Sequence, residues 1–157
     1  MTFALKLTHD EPRLVYLALV YHLGRPGSEL DAETEQVGAH GLRGVKTGLG
    51  AHLEDESAII ELDEAQYRRL LSAIYGSVNE LRVFHMRSGA EGDLPRFAET
   101  IRALFPAAAA DPEAALDVAQ AMMMLHRRIE RAVGRAAATP PAGTPPASKR
   151  RRWPFRR

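Results

Sequence analysis

Phe3, Leu5 and Leu7 alternate with Thr2, Ala4 and Lys6. A period of two puts the apolar set on one face of a short strand. Thr8 and Glu11 then stand three apart with Pro12 close behind, the pattern of a capping box with proline in the first turn. Residues 13–23 read as the helix that follows. Val15, Tyr16, Val20 and Tyr21 give that run enough β-branched and aromatic content for a strand as the alternative. Gly24 and the Arg25-Pro26-Gly27 turn end it.

A second unit of the same kind begins at residues 58–62, where another short strand is expected. Asp63 and Gln66 form a capping box for the next helix. Along it Tyr67, Leu70, Leu71, Ile74, Val78 and Leu81, and with them His85, recur at three- and four-residue steps, an amphipathic stripe. Asp93 then caps a helix with Phe97, Ile101, Leu104 and Phe105 on one face, stopped by Pro106. Asp111-Pro112 starts the longest helix. Its apolar positions, Ala115, Val118, Met122, Leu125, Ile129 and Val133, keep near-heptad spacing. Arg127, Arg128, Arg131 and Arg135 suit the negative end of its dipole. The pattern predicts a mainly α fold over residues 1–137. It is a small bundle of about five helices, with two short strands that can pair as a ribbon leaning on them.

The middle of the chain is harder to assign. GAHGLRGVKTGLG, residues 38–50, holds five glycines and a Lys-Thr pair. A phosphate loop needs lysine directly after the last glycine of its pattern, so that backbone N–H groups and ammonium share the phosphates. Here Val45 follows Gly44, and Lys46 comes one place late. The preceding SELDAETEQ is acidic and makes no buried strand. Gly38, Gly41 and Gly44 run three and three apart, not two and three, so the dinucleotide pattern is missing too. Gly38, Gly41, Gly44 and Gly48 instead fall along one helical face, beside Val37, Val45, Leu49 and Leu53. That predicts a smooth surface for another helix. Each interior glycine weakens such a helix by roughly 1 kcal/mol relative to alanine. A broken helix or an ordered loop over residues 34–53 is the competing reading.

Composition narrows the chemistry. The chain has 157 residues and no cysteine, which removes disulfides and thiolate catalysis or metal ligation. The N-terminus lacks the basic and apolar regions of a secretory signal. Residues 14–23, the longest apolar stretch, reach about half the length of a membrane span and include His22. A cytoplasmic protein is expected. The histidines (His9, His22, His40, His52, His85 and His126) show neither HxxxH nor HExxH spacing. A metal site would have to be assembled from distant positions such as His40, His52 and His126. The acids Glu33, Glu35, Glu54, Asp55 and Glu56 lie in polar segments where solvation explains them. No GxSxG elbow is present. No catalytic residue and no cofactor are assigned, and a small enzyme built from scattered histidines and acids is the minority reading. Of Met122, Met123 and Met124, consecutive on a helix, at most two can face the core. An exposed one would indicate a helix–helix or subunit contact.

Charge is split along the chain. Residues 149–157, KRRRWPFRR, carry six of the 21 Lys and Arg and no acid. The remainder holds 15 (21 − 6) against 20 Asp and Glu, a net of −5. Residues 138–148, rich in proline and containing TPPA twice, form an extended spacer. The tail beyond it is expected to be disordered, with an anion-binding set of Lys149, Arg150, Arg151, Arg152, Trp153, Phe155, Arg156 and Arg157. Arginines can neutralise phosphates while the rings stack on bases, as in single-stranded nucleic-acid binders. The same groups suit an anionic membrane, with Trp153 and Phe155 at the interface, or an acidic protein surface. An unused solubilising end is the bland alternative. The sequence therefore predicts a non-enzymatic binding or regulatory protein. Its body would self-associate or grip a partner protein, and its tail would hold nucleic acid or, failing that, a membrane. No small-molecule substrate is inferred.

Overall fold

Strands β1 (Thr2–Thr8) and β2 (Ser57–Asp63) pair antiparallel, Thr2 opposite Asp63 and Thr8 opposite Ser57. The computed structural model describes residues 2–25, 41–86 and 94–138. The alternation read from the sequence decides which side of the ribbon is covered. Leu5, Leu7, Ala58, Ile60 and Leu62 are buried, while Ala4, Lys6, Ile59 and Glu61 face outward. Phe3 lies against the Tyr67 ring, centroids 6.3 Å apart.

Each strand feeds a helix: β1 leads to α1 (Glu11–Gly24) and β2 to α3 (Glu64–Val83), which ends in a 3-10 turn at Phe84–Met86. The box opening α3 is complete. Asp63 Oδ1 accepts from the Gln66 N–H at 2.8 Å, and Gln66 Oε1 accepts from the Asp63 N–H at 2.9 Å. The box opening α1 is half made. Glu11 reaches back to the Thr8 N–H at 2.9 Å, but Asp10 occupies the cap position and its side chain makes no capping bond. Residues 13–23 are helical despite their β-branched content. Leu14, Val15, Leu17, Ala18, Leu19, Val20 and Leu23 are buried around most of the helix circumference, so tertiary burial outweighs the local preference.

The central helix α3 packs against α1 and against α6 (Pro112–Ala138). Helix α4 (Pro95–Leu104) leans on α1, and α5 (Pro106–Ala110) bridges α4 and α6. Pro106 stops α4 as expected, and it also starts α5: its missing N–H breaks the first ladder, while its fixed φ suits the first position of another helix. The described residues therefore hold six α-helices, α5 being the short addition to the expected bundle of about five. Asp111 caps α6, accepting from the N–H groups of Glu113 and Ala114 at 3.2 and 3.4 Å. Asp93, the expected cap of α4, lies outside the described residues.

The glycine-rich segment corrects the expectation of a long smooth helix. Helix α2 is two turns, Arg43–Gly50. Gly38 lies outside the described residues. Gly41 precedes the helix, and its carbonyl accepts from Gln66 Nε2 at 2.9 Å. Leu42 and Leu49 are buried and Val45 half-buried, so they claim the one inward face the helix has. Gly44 and Gly48 are turned away. Among the described residues a Cβ at either would meet nothing within 4 Å, so no described helix packs on them. The close approach occurs at Gly76 on α3 instead. A Cβ there would stand 2.3 Å from Tyr21 Cε1 of α1. The Tyr21 ring is itself held edge-on to Phe97 at 5.8 Å and capped by the Arg25 guanidinium at 5.1 Å.

Candidate interaction surface

The described histidines and acids, the candidates for catalytic or metal chemistry, sit in separate contacts. His52 Nδ1 meets Asp55 Oδ2 at 2.7 Å on the surface, and His126 lies 3.5 Å from Glu130. His85 Nε2 donates to the Ala108 carbonyl at 2.7 Å, tying the end of α3 to α5. His22 is buried beside Arg25. His40, Glu33 and Glu35 lie outside the described residues. Glu54 pairs with Arg13 at 2.8 Å. Among the described residues no three ligating side chains come together as a metal site. Among them, too, no helix is long and apolar enough to cross a membrane.

The surface features that do converge centre on α6 and the β1–α1 corner. His9 forms the corner with a left-handed φ of 56°, and its N–H donates to the Glu56 carbonyl at 3.2 Å. Few non-glycine residues adopt that backbone, although histidine does so more readily than most. The corner makes a ridge between two open grooves. One, of 690 Å³, has polar walls that include Asp10, Arg13, Glu54 and Glu56. The other, of 530 Å³, runs between the start of α1 and the second half of α6 and is floored by Leu14 and Leu125.

Glu11 fixes the wall of this second groove. Its carboxylate accepts from the Thr8 N–H, from Arg128 Nε at 2.7 Å and from Arg128 Nη2 at 2.6 Å. Arg128 Nη2 also donates to the Lys6 carbonyl at 3.2 Å. One carboxylate thus joins the end of β1, the first turn of α1 and the middle of α6. Paired, bidentate and only partly exposed, it is geometrically well defined. Arg128 therefore does more than answer the helix dipole.

Opposite the buried stripe of α6 (Ala115, Ala119, Met122, Leu125, Ile129), the outward stripe has a distinctive order. Glu113 and Asp117 come first, Leu116, Gln120 and Met124 occupy the middle, and Arg127 and Arg131 follow. Leu116 is 51% and Met124 64% exposed. The methionine triplet thus divides as helix geometry demands: Met122 is buried, Met123 half-buried and Met124 exposed. No carboxylate among the described residues pairs with Arg127 or Arg131. Arg131 Nε donates only to the Arg127 carbonyl, at 3.2 Å. On α3, burial and then the negative charge of Glu130 raise the Tyr67 phenol above its ordinary value of 10.0.

Of the residues singled out in the sequence, Gly44 and Gly48 border a shallow hollow beside β2, together with His52 and Ile59. The tail set from Lys149 to Arg157 lies outside the described residues. The outward acids of α6 and the tight contact at Gly76 are features that the sequence reading misses. A signal for the first was available in the period of the charged positions, which drift from acidic to basic along one face. No known protein family matches the chain, and neither a curated protein nor a solved structure is similar to it.

Proposed function

We propose that this is a non-enzymatic binding or regulatory protein of the cytoplasm. Its helical body makes protein contacts through the outward face of α6. Its tail, residues 149–157, attaches the assembly to an anionic partner, nucleic acid first. The observation that carries this reading is the charge division of the chain. Six cations and two large rings occupy nine residues, while the rest of the chain is net negative. Lys149, Arg150, Arg151, Arg152, Arg156 and Arg157 supply phosphate contacts, and Trp153 and Phe155 supply stacking faces. The exposed Met124 and Leu116, beside arginines that pair with no carboxylate among the described residues, support the protein-contact half, because apolar groups rimmed by charge are the usual makeup of a docking surface.

Retention on single-stranded DNA tests the tail. Deleting residues 149–157 should abolish retention and leave the thermal transition of the body unchanged. If all six cations engage the phosphates of the single strand, log K falls against log salt with a slope of about −4. Trp153→Ala with Phe155→Ala should weaken single-strand binding and leave that salt slope unchanged. Retention unchanged by the deletion would defeat the proposal. Binding to anionic liposomes but not to DNA at matched salt would transfer the tail to a membrane.

A further inference from the structure

The outward stripe of α6 is complementary to itself when reversed. Glu113 and Arg131 lie equally far on either side of Met122, and so do Asp117 and Arg127, and Gln120 and Met124. All six are exposed. At 1.5 Å per residue, the inner charged pair spans about 15 Å of the helix and the outer about 27 Å. A second α6 laid antiparallel across this face, with its twofold axis at the level of Met122, sets Asp117 against the facing Arg127. The same operation sets Glu113 against the facing Arg131. Twofold symmetry makes each contact twice, giving four ion pairs around a centre of Met124 and Gln120, with Leu116 beside the methylene stem of the facing Arg127. A parallel arrangement would oppose like charges at every level. Sliding the antiparallel pair to centre on Gln120 would leave Arg131 facing the short helix α5, without an acid, and halve the ion pairs.

We infer that the body pairs with a second copy of this chain through α6, antiparallel and in that register. This rests on the reading that the body makes protein contacts, and it names the partner. Three observations on this face point the same way. Two apolar side chains stand in solvent, neither the basic nor the acidic members form an ion pair among the described residues, and the charge order inverts about one residue. An interface of one helix pair lies at the small end of specific interfaces, so a dimer constant in the micromolar range is expected. It should weaken as salt screens the exposed ion pairs.

Sedimentation equilibrium of the full chain, from about 1 to 200 μM at low salt, tests this within the range such small interfaces occupy. The chain should dimerise. Arg127→Glu with Arg131→Glu should raise the dimer constant at least about tenfold, and Glu113→Arg with Asp117→Arg should do the same. Mixing the two double variants should restore a one-to-one heterodimer, because each then supplies the charges the other lost. All four positions are solvent-facing, so circular dichroism should show both variants folded. A wild-type chain that stays monomeric throughout overturns the inference. So does a dimer indifferent to both reversals, or a mixture that fails to associate. A monomer still retained on DNA removes the self-pairing and leaves the tail reading intact, while a dimer that ignores DNA does the reverse.

Discussion

Replacing Gly76 by alanine sets two effects of similar size against each other. In isolation the change favours the helix by roughly 1 kcal/mol, since glycine carries the larger backbone entropy. In this fold the new methyl would stand 2.3 Å from Tyr21 Cε1 and 2.5 Å from its hydroxyl oxygen. Ordinary carbon contacts begin near about 3.5 Å, so the ring must move by more than an ångström. Tyr21 is half-buried and can swing outward, which limits the backbone strain. The swing gives up the edge-on contact with Phe97 and the place of Arg25 over the ring. Overpacking costs typically about 1–3 kcal/mol, and the two ring contacts about 0.5–1.5 and 0.5–1 kcal/mol. Set against the helix gain, these terms leave a net loss of about 1–4 kcal/mol, or a fall of several degrees in Tm for a domain of this size. Urea denaturation of four chains decides the matter: wild type, Gly76→Ala, Tyr21→Ala and the double variant. In the Tyr21→Ala background the obstruction is gone, and Gly76→Ala should stabilise by up to about 1 kcal/mol. The same sign of effect in both backgrounds would refute the argument that the ring, and not the helix, sets the requirement for glycine.

Three further outcomes follow from the same geometry. Gly48→Ala, in open space on α2, should stabilise by up to about 1 kcal/mol in thermal denaturation, the opposite of Gly76→Ala. Arg128→Ala removes both bonds to Glu11; because the two groups are partly exposed, urea unfolding should show a loss of about 1–2 kcal/mol rather than the larger cost of a fully buried pair. The raised phenol of Tyr67 keeps its proton in the folded chain where the unfolded chain has begun to lose it. Its contribution is therefore complete below pH 10 and declines as pH rises through the folded value, so the denaturation midpoint should fall above pH 10 by less in Tyr67→Phe than in wild type.

The strands, their buried faces and three of the helix starts were legible because each is written in adjacent residues. Phe3-Leu5-Leu7 and Ala58-Ile60-Leu62 alternate, and Asp63-Gln66 and Asp111-Pro112 are local signatures. The extent of α2 was not legible. Glycine spacing defines a face but does not say whether that face meets protein or solvent, and Leu42, Val45 and Leu49 had already taken the inward side. Gly76 was invisible for the converse reason: a lone glycine inside a good amphipathic stripe gives no hint of the ring that crosses it. In the sequence Arg128 is one of four arginines that answer a dipole, because its partner Glu11 is brought to it only by the tertiary fold. The outward order of α6 was present in the sequence, but its meaning depends on which face is left uncovered.

The ribbon has a kinetic consequence. Its two halves are separated by about 50 residues of chain, which a ribosome adds at roughly 5–20 per second. During those seconds Leu5 and Leu7 have no strand opposite them, and the nascent segment offers an unpaired edge with an apolar side. Closing so long a loop also places this protein among slower folders than its helix content alone suggests. In the interval after β1 and α1 have been made and before β2 has, the chain should be at its most dependent on chaperones.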